Sequence, residues 1–233
     1  MASGSGSGRV VGRAQVVATH MDAPAKGLYP LPFVEDLDSP MAASFRVLRY
    51  RLREADELQV LAVTSPGPGE GKTTCAINLA MALAEHGRDR VLLVEANVRS
   101  PKIGVALGFM PPLCFTRQMS QHLDEPSAPW RVVAAFYDNL HVLPVDPSQL
   151  QGKLLSPPAI KVAIEQLRQA DYKYIVVDCP PVLGSADVNV IEDLVDEVLL
   201  VAKVGGTTRE QLLAAADHIA PAEFLGTVLM HAL

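Results

Sequence analysis

The chain has 233 residues, 49% of them hydrophobic, and a formal net charge of −6. That length suits one domain with a substantial core, and the acidic balance excludes a broad basic face for nucleic acid. No apolar run approaches the ~20 residues of a membrane span. The three cysteines, Cys75, Cys114 and Cys179, have neither zinc-site nor disulfide-framework spacing, so a reducing cytoplasmic setting is expected.

Residues 1–38 are polar, Gly-rich or Pro-rich and read as a flexible N-terminal arm, with residues 39–233 forming the folded domain. The SGSGSGR run is a linker and not a secretory signal, because no apolar segment follows it. Ser39 is a good N-cap and Pro40 a good first helical residue. In the helix that follows, Phe45, Leu48 and Leu52 form an apolar stripe, while Arg46, Arg49 and Arg53 line another face. A strand is expected at about 59–64, then a helix that ends near His86 and Gly87. A continuous apolar strand starts at Val91. Residues 108–138 read as a variable excursion with one short helix. Further strands start at His141, end at Asp178 and start at Glu197, with helices at about 157–170 and 208–219. GTVLM closes the sheet. Strands alternating with helices predict an α/β fold, a mostly parallel sheet covered on both faces. Ligands in such sheets bind at the C-terminal strand ends.

The most informative stretch is LAVTSPGPGEGKTTCAINLA, residues 61–80. It is a phosphate-binding P-loop between a strand and a helix. Gly67, Gly69 and Gly71 lack Cβ atoms, so backbone N–H groups can turn inward around a phosphate. The helix that follows adds about half a positive charge at its N-terminus. The expected nucleotide contacts are Pro68, Gly69, Glu70, Gly71, Lys72, Thr73 and Thr74. Lys72 would reach the β- and γ-phosphates, and the Thr73 hydroxyl would ligate Mg²⁺. One departure from GxxxxGK[ST] is Pro66, where the pattern wants glycine. Asp178, after YIVV, has the position of the acidic metal partner. Glu95 and Asn97 follow another strand and face the same crevice. Glu95 could orient or deprotonate an attacking hydroxyl, and Asn97 offers the metal an oxygen without charge. Arg99 is either a solvated loop residue or a contact to a phosphate or a neighbouring subunit.

On these segments, and on SFRVLRYRL, LHVLPVDPSQL, YIVVDCPPVLGSADV, VDEVLLVAKVGGTTREQL and FLGTVL, the chain resembles the bacterial tyrosine kinases of capsule and exopolysaccharide systems. These belong to the MinD/ParA-like branch of P-loop ATPases, and the likeness covers roughly residues 41–230. The resemblance implies ATP or ADP with Mg²⁺, and catalytic roles for Lys72, Glu95 and Asp178. It implies Mg²⁺ contacts from Thr73, Asn97 and Asp178. It also implies a membrane-embedded chain-length or export adaptor, a peripheral inner-membrane location through it, and oligomer contacts through Arg46 and Arg49. The family tolerates a non-glycine at the Pro66 position. Its usual second acidic motif has two aspartates where this chain has Glu95 and Asn97. Its oligomer helix has a glutamate where this chain has Ala43, and its adenine-side asparagine corresponds to Met230. The five tyrosines include no tail cluster. The expectation is therefore an ATP-binding kinase-like regulator with weak autophosphorylation or ATPase activity. The alternatives are a nucleotide-binding pseudokinase and a MinD/ParA-like positioning ATPase. Such ATPases carry a signature lysine where this chain has Gly67.

Overall fold

The computed structural model describes residues 14–21, 29–54, 57–149, 156–185, 187–219 and 222–231. The elements, in chain order, are β1 (Val16–His20), α1 (Pro32–Glu35), α2 (Pro40–Arg53), β2 (Val60–Thr64), α3 (Lys72–Ala84) and β3 (Val91–Glu95). They continue with α4 (Ile103–Ala106), α5 (Phe115–Asp124), β4 (Trp130–Ala134), β5 (Leu140–Leu143), α6 (Pro157–Arg168) and β6 (Tyr174–Asp178). The chain ends with α7 (Asp187–Glu192), β7 (Glu197–Lys203), α8 (Arg209–Ile219) and β8 (Glu223–Met230). The strands form one sheet in the order β1-β4-β5-β3-β6-β2-β7-β8. Every pairing is parallel except β4 with β5.

The central strands are apolar throughout because both their faces are covered. In β2, Val60 and Ala62 point to one side, where Phe115, Ile160, Ile191 and Ala215 bring in α5, α6, α7 and α8. Leu61 and Val63 point to the other, where Phe33, Phe45, Leu79 and Ile103 bring in α1 to α4. This is the twofold alternation of a strand between two helical layers. Ser39 caps α2 as expected, its side chain accepting from the Ala42 amide at 3.2 Å, with Pro40 at the first helical position.

Three features differ from the sequence expectation. Val16–His20, inside the segment read as an arm, pairs in register with β4 as an edge strand. The 108–138 excursion holds the ten-residue α5 and the strand β4. α7 occupies a stretch to which the sequence reading assigned no element. The sheet register is what places the site. Glu95 lies opposite Asp178, and Asp178 lies opposite Val63, one residue before the end of β2.

Candidate nucleotide site

The loop after β2 is tied down from several sides. The Thr64 hydroxyl donates to the Pro180 carbonyl at 2.6 Å. The Ser65 hydroxyl donates to the Gly67 carbonyl at 2.6 Å. Glu70 accepts from the Gly67 amide at 2.9 Å and from the Thr207 hydroxyl at 2.7 Å. Sequence reasoning missed Thr207, which anchors the P-loop to the turn after β7. The left-handed positions of the loop are Gly69 (φ 76°) and Gly71 (φ 95°), the latter capping α3. Pro66 occupies neither, and its carbonyl accepts from the Leu183 amide at 3.1 Å. That explains why glycine is not needed there. A Cβ on Gly71 would sit 3.4 Å from Met230 Cγ, so Met230 lies directly against the loop.

A cavity of about 500 Å³ opens over this loop. Its wall includes Pro68, Gly69, Gly71, Lys72, Thr73 and Thr74 from the loop and helix start, and Asn97 and Arg99 from the β3 exit. Of the expected nucleotide contacts, Glu70 alone lies outside the wall, being spent on Gly67 and Thr207. Sequence reasoning did not foresee Tyr29, Ser100, Lys102 or Ser185 in the same wall. These come from loops, which carry no periodic signal. A larger hollow, about 650 Å³, lies between α6 and α7. Its Arg168 binds Asp196 just before β7, at the N-terminal strand ends and away from the P-loop.

Asp178 is fully buried behind Thr73. The Thr73 hydroxyl donates to Asp178 Oδ2 at 2.8 Å, while Oδ1 is buried without a hydrogen-bond partner. Burial pushes the carboxyl up to about 7; the Thr73 hydrogen bond opposes this, the Glu95 charge adds to it, and Lys72 opposes it. A buried acid oxygen beside a P-loop hydroxyl fits a hard divalent cation such as Mg²⁺. Thr73 and Asp178 are the residues that would hold it. No cluster of three or more His, Cys, Asp or Glu able to hold a metal occurs among the described residues.

Glu95, expected to orient or deprotonate a hydroxyl, has both carboxylate oxygens occupied. Like Asp178, it is fully buried and absent from the cavity wall. Its Oε1 accepts from the amides of Lys102 (2.5 Å) and Ile103 (2.7 Å), and its Oε2 from the amide of Val145 (2.8 Å). The carboxyl is raised by burial and held down by these amides. Both oxygens are turned onto backbone, so this side chain braces the loop after β3 against the exit of β5. Asn97 does line the cavity, and its amide donates to the Ser100 carbonyl at 3.2 Å. Burial raises the thiols of Cys75, to about 12, and Cys179, so both are inert packing residues.

Arg46 and Arg49, expected to meet a neighbouring subunit, both bind Glu85 at the end of α3. Arg46 Nη2 lies 2.6 Å from Oε1, and Arg49 Nη1 lies 2.8 Å from Oε2. Arg46 also donates to the Leu37 carbonyl and Arg49 to the Ala82 carbonyl.

The family model described as ParA, NUBPL iron-transfer P-loop NTPase, matches residues 57–221. The tyrosine-protein kinase YwqD of Bacillus subtilis is 30% identical over 194 residues, which cover 79% of this chain and 78% of that protein. The chain belongs to the bacterial tyrosine kinase family of ParA-like P-loop NTPases. A further relative is the succinoglycan biosynthesis transport protein ExoP of Rhizobium meliloti. It is 28% identical over 82% of this chain and 25% of its own length. The kinase domain of Escherichia coli tyrosine kinase ETK shares the fold, with a TM-score of 0.70 at 19% identity, covering 89% of this chain and 82% of that one. No helix among the described residues is long and apolar enough to cross a membrane.

Proposed function

We propose that this chain binds ATP and ADP with Mg²⁺ at the P-loop and regulates capsule or exopolysaccharide production through slow phosphoryl transfer. The observation that carries the reading is the Thr73–Asp178 pair, with one buried carboxylate oxygen left over beside the phosphate cradle. Gly69, Gly71 and the start of α3 present backbone N–H groups to the phosphates, and Lys72 adds a cation. Bound Mg²⁺ would neutralise charge on the phosphates. Thr73 and Asp178 would hold it, with Asn97 on the cavity wall beside them. Glu95 acts as a positioning residue and not as a base. A loose transition state asks more of positioning and charge than of a base, and this supports slow transfer. The kinship with ExoP supports work beside a membrane-embedded export adaptor, at the cytoplasmic face. The internal pairing of Arg46 and Arg49 supports a monomer or weak oligomer when that adaptor is absent. The commitment of Glu95 to three amides also favours a second reading, a pseudokinase that binds nucleotide without transferring phosphate.

The test is thermal unfolding with and without Mg²⁺–ADP. Ligand at about 100 times its Kd stabilises the fold by about 2.7 kcal/mol. Lys72→Ala should remove most of that gain. A melting temperature unmoved by saturating nucleotide refutes the proposal.

A further inference from the structure

One acidic side chain stands in the phosphate loop itself, Glu70. It lies between Gly69 and Gly71, which both line the cavity, yet it is only 8% exposed and is absent from the cavity wall. A carboxylate inside the cradle would meet the negative charge of a polyphosphate at close range, where like charges repel most strongly. The loop can take an anion only while this side chain is held aside.

Two donors hold it. The Gly67 amide donates to Oε2 at 2.9 Å, and the Thr207 hydroxyl, from the turn after β7, donates to Oε1 at 2.7 Å. Gly67 belongs to the same loop and moves with it, whereas Thr207 ties the carboxylate to the sheet. The direction of the Thr207 hydroxyl is settled by its other partner. It accepts from the Lys203 amide at 2.8 Å, and an amide N–H can only donate, so the hydroxyl hydrogen is left for Glu70. The turn is closed by the Gly206 and Thr207 amides on the Lys203 carbonyl, at 3.0 and 2.9 Å, around a left-handed Gly205 (φ 72°). It is joined to β8 by the Val204 amide, which donates to the Met230 carbonyl at 2.9 Å. Met230 in turn lies against Gly71. The turn therefore meets the phosphate loop twice, at Glu70 directly and at Gly71 through Met230.

We propose that Thr207 is a positioning residue that sets nucleotide affinity by holding the Glu70 carboxylate out of the phosphate cradle. The proposal rests on nucleotide binding at the P-loop. Thr207 acts through Glu70 and touches no phosphate. Without its hydroxyl, Glu70 keeps the Gly67 amide, three residues away in the same loop, and nothing fixes the carboxylate to the sheet. The side chain then samples the cradle, and the anion has to displace it. Affinity falls in proportion to the fraction of chains whose loop is ready for phosphate. The coupling is reciprocal. A bound phosphate excludes the carboxylate, favours the Thr207–Glu70 bond and steadies the turn after β7.

The experiment measures the affinity of the full chain for Mg²⁺–ADP by titration calorimetry, below the unfolding temperature of every variant. Thr207→Val should raise Kd about tenfold, the size of one hydrogen bond to a charged group. Thr207→Ser should restore the parent value. Thr208→Val removes the hydroxyl that accepts from the Gln211 amide at 3.2 Å at the start of α8, so it should lower stability and leave Kd unchanged. In a Glu70→Gln background no charge remains to be held, and Thr207→Val should have no further effect on Kd. A second measurement needs no variant: saturating Mg²⁺–ADP should slow hydrogen exchange at the Lys203 amide of the unaltered chain. Three results overturn the proposal and leave the P-loop site standing: an unchanged Kd in Thr207→Val, the same rise in the Glu70→Gln background, or Lys203 exchange unmoved by bound nucleotide. Absence of nucleotide binding by the unaltered chain removes both.

Discussion

Asp178→Asn should make the ligand-free protein more stable at alkaline pH while weakening its use of Mg²⁺. The carboxyl is fully buried and raised from 3.8 to about 7. A raised acid is favoured in its protonated form by the fold. Its contribution to stability is therefore complete below the unfolded value of 3.8 and is lost as pH rises towards 7. At about 1.4 kcal/mol per pH unit, the ionised group costs the fold about 4 kcal/mol above neutrality. Between about pH 5.5 and pH 8 the loss is about 2 kcal/mol, or roughly 4 °C in Tm for a chain of this size. An asparagine cannot ionise. It can still accept from Thr73, but its amide nitrogen replaces an unpartnered oxygen, at a cost of about 1–3 kcal/mol. The pH dependence of the difference is thus firmer than its absolute size. The assay is thermal unfolding of both proteins across that range without nucleotide, then with Mg²⁺–ADP. The variant should gain on the parent chain as pH rises, and lose the Mg²⁺-dependent part of the ligand shift. Parallel pH profiles would refute the argument, because burial of Asp178 would then not be what the fold feels.

Two further outcomes follow from buried acids elsewhere. Glu95→Gln sets an NH₂ group against backbone N–H donors, so it should cost about 1–3 kcal/mol in denaturant unfolding. Its nucleotide-induced shift should survive, whereas loss of a general base would lower turnover 10²- to 10⁴-fold, roughly, at unchanged stability. Glu85→Ala strands Arg46 and Arg49 and should cost about 1–3 kcal/mol near neutral pH, the range for hydrogen bonds to charged groups. Hydrogen bonding to Arg46 holds the Glu85 carboxyl below its usual 4.5, so this contribution is present above 4.5 and fades as pH falls below it. Urea titrations at neutral and acid pH should show the two proteins converging in acid.

The P-loop, Asp178 and the central strands were legible because their signals are local. A buried parallel strand is a continuous apolar run, and the phosphate loop needs Gly69 and Gly71 at left-handed φ. β1 carried no such signal. Its residues alternate between half-buried and exposed, and its partner Trp130–Ala134 lies more than a hundred residues on. β4 is equally dependent on tertiary pairing, sitting between β1 and β5 among prolines. Glu85 was invisible for the same reason. An acid at the end of α3 opposes the helix dipole, and only the return of α2 across it supplies two arginines. Glu95 shows the limit most clearly. Its position at a strand end was readable, but the Lys102, Ile103 and Val145 amides that claim it belong to loops.

Glu95 and Asp178 stand side by side in the sheet, both fully buried, and differ in how their oxygens are satisfied. Glu95 has three backbone donors across its two oxygens. Asp178 has one donor, Thr73, and an oxygen with none. A buried polar atom without a partner costs stability, so a fold optimised only for stability would not place one at its centre. Local rules tend to be broken at functional sites, with the cost offset elsewhere. Of these two acids, Asp178 keeps an oxygen open to a ligand and Glu95 has both oxygens spent on the scaffold. The extra methylene of glutamate lets it span the gap to two loops, and both of its oxygens are taken up by their amides. The scaffold gains a firmly held cavity wall at Asn97, Arg99 and Lys102.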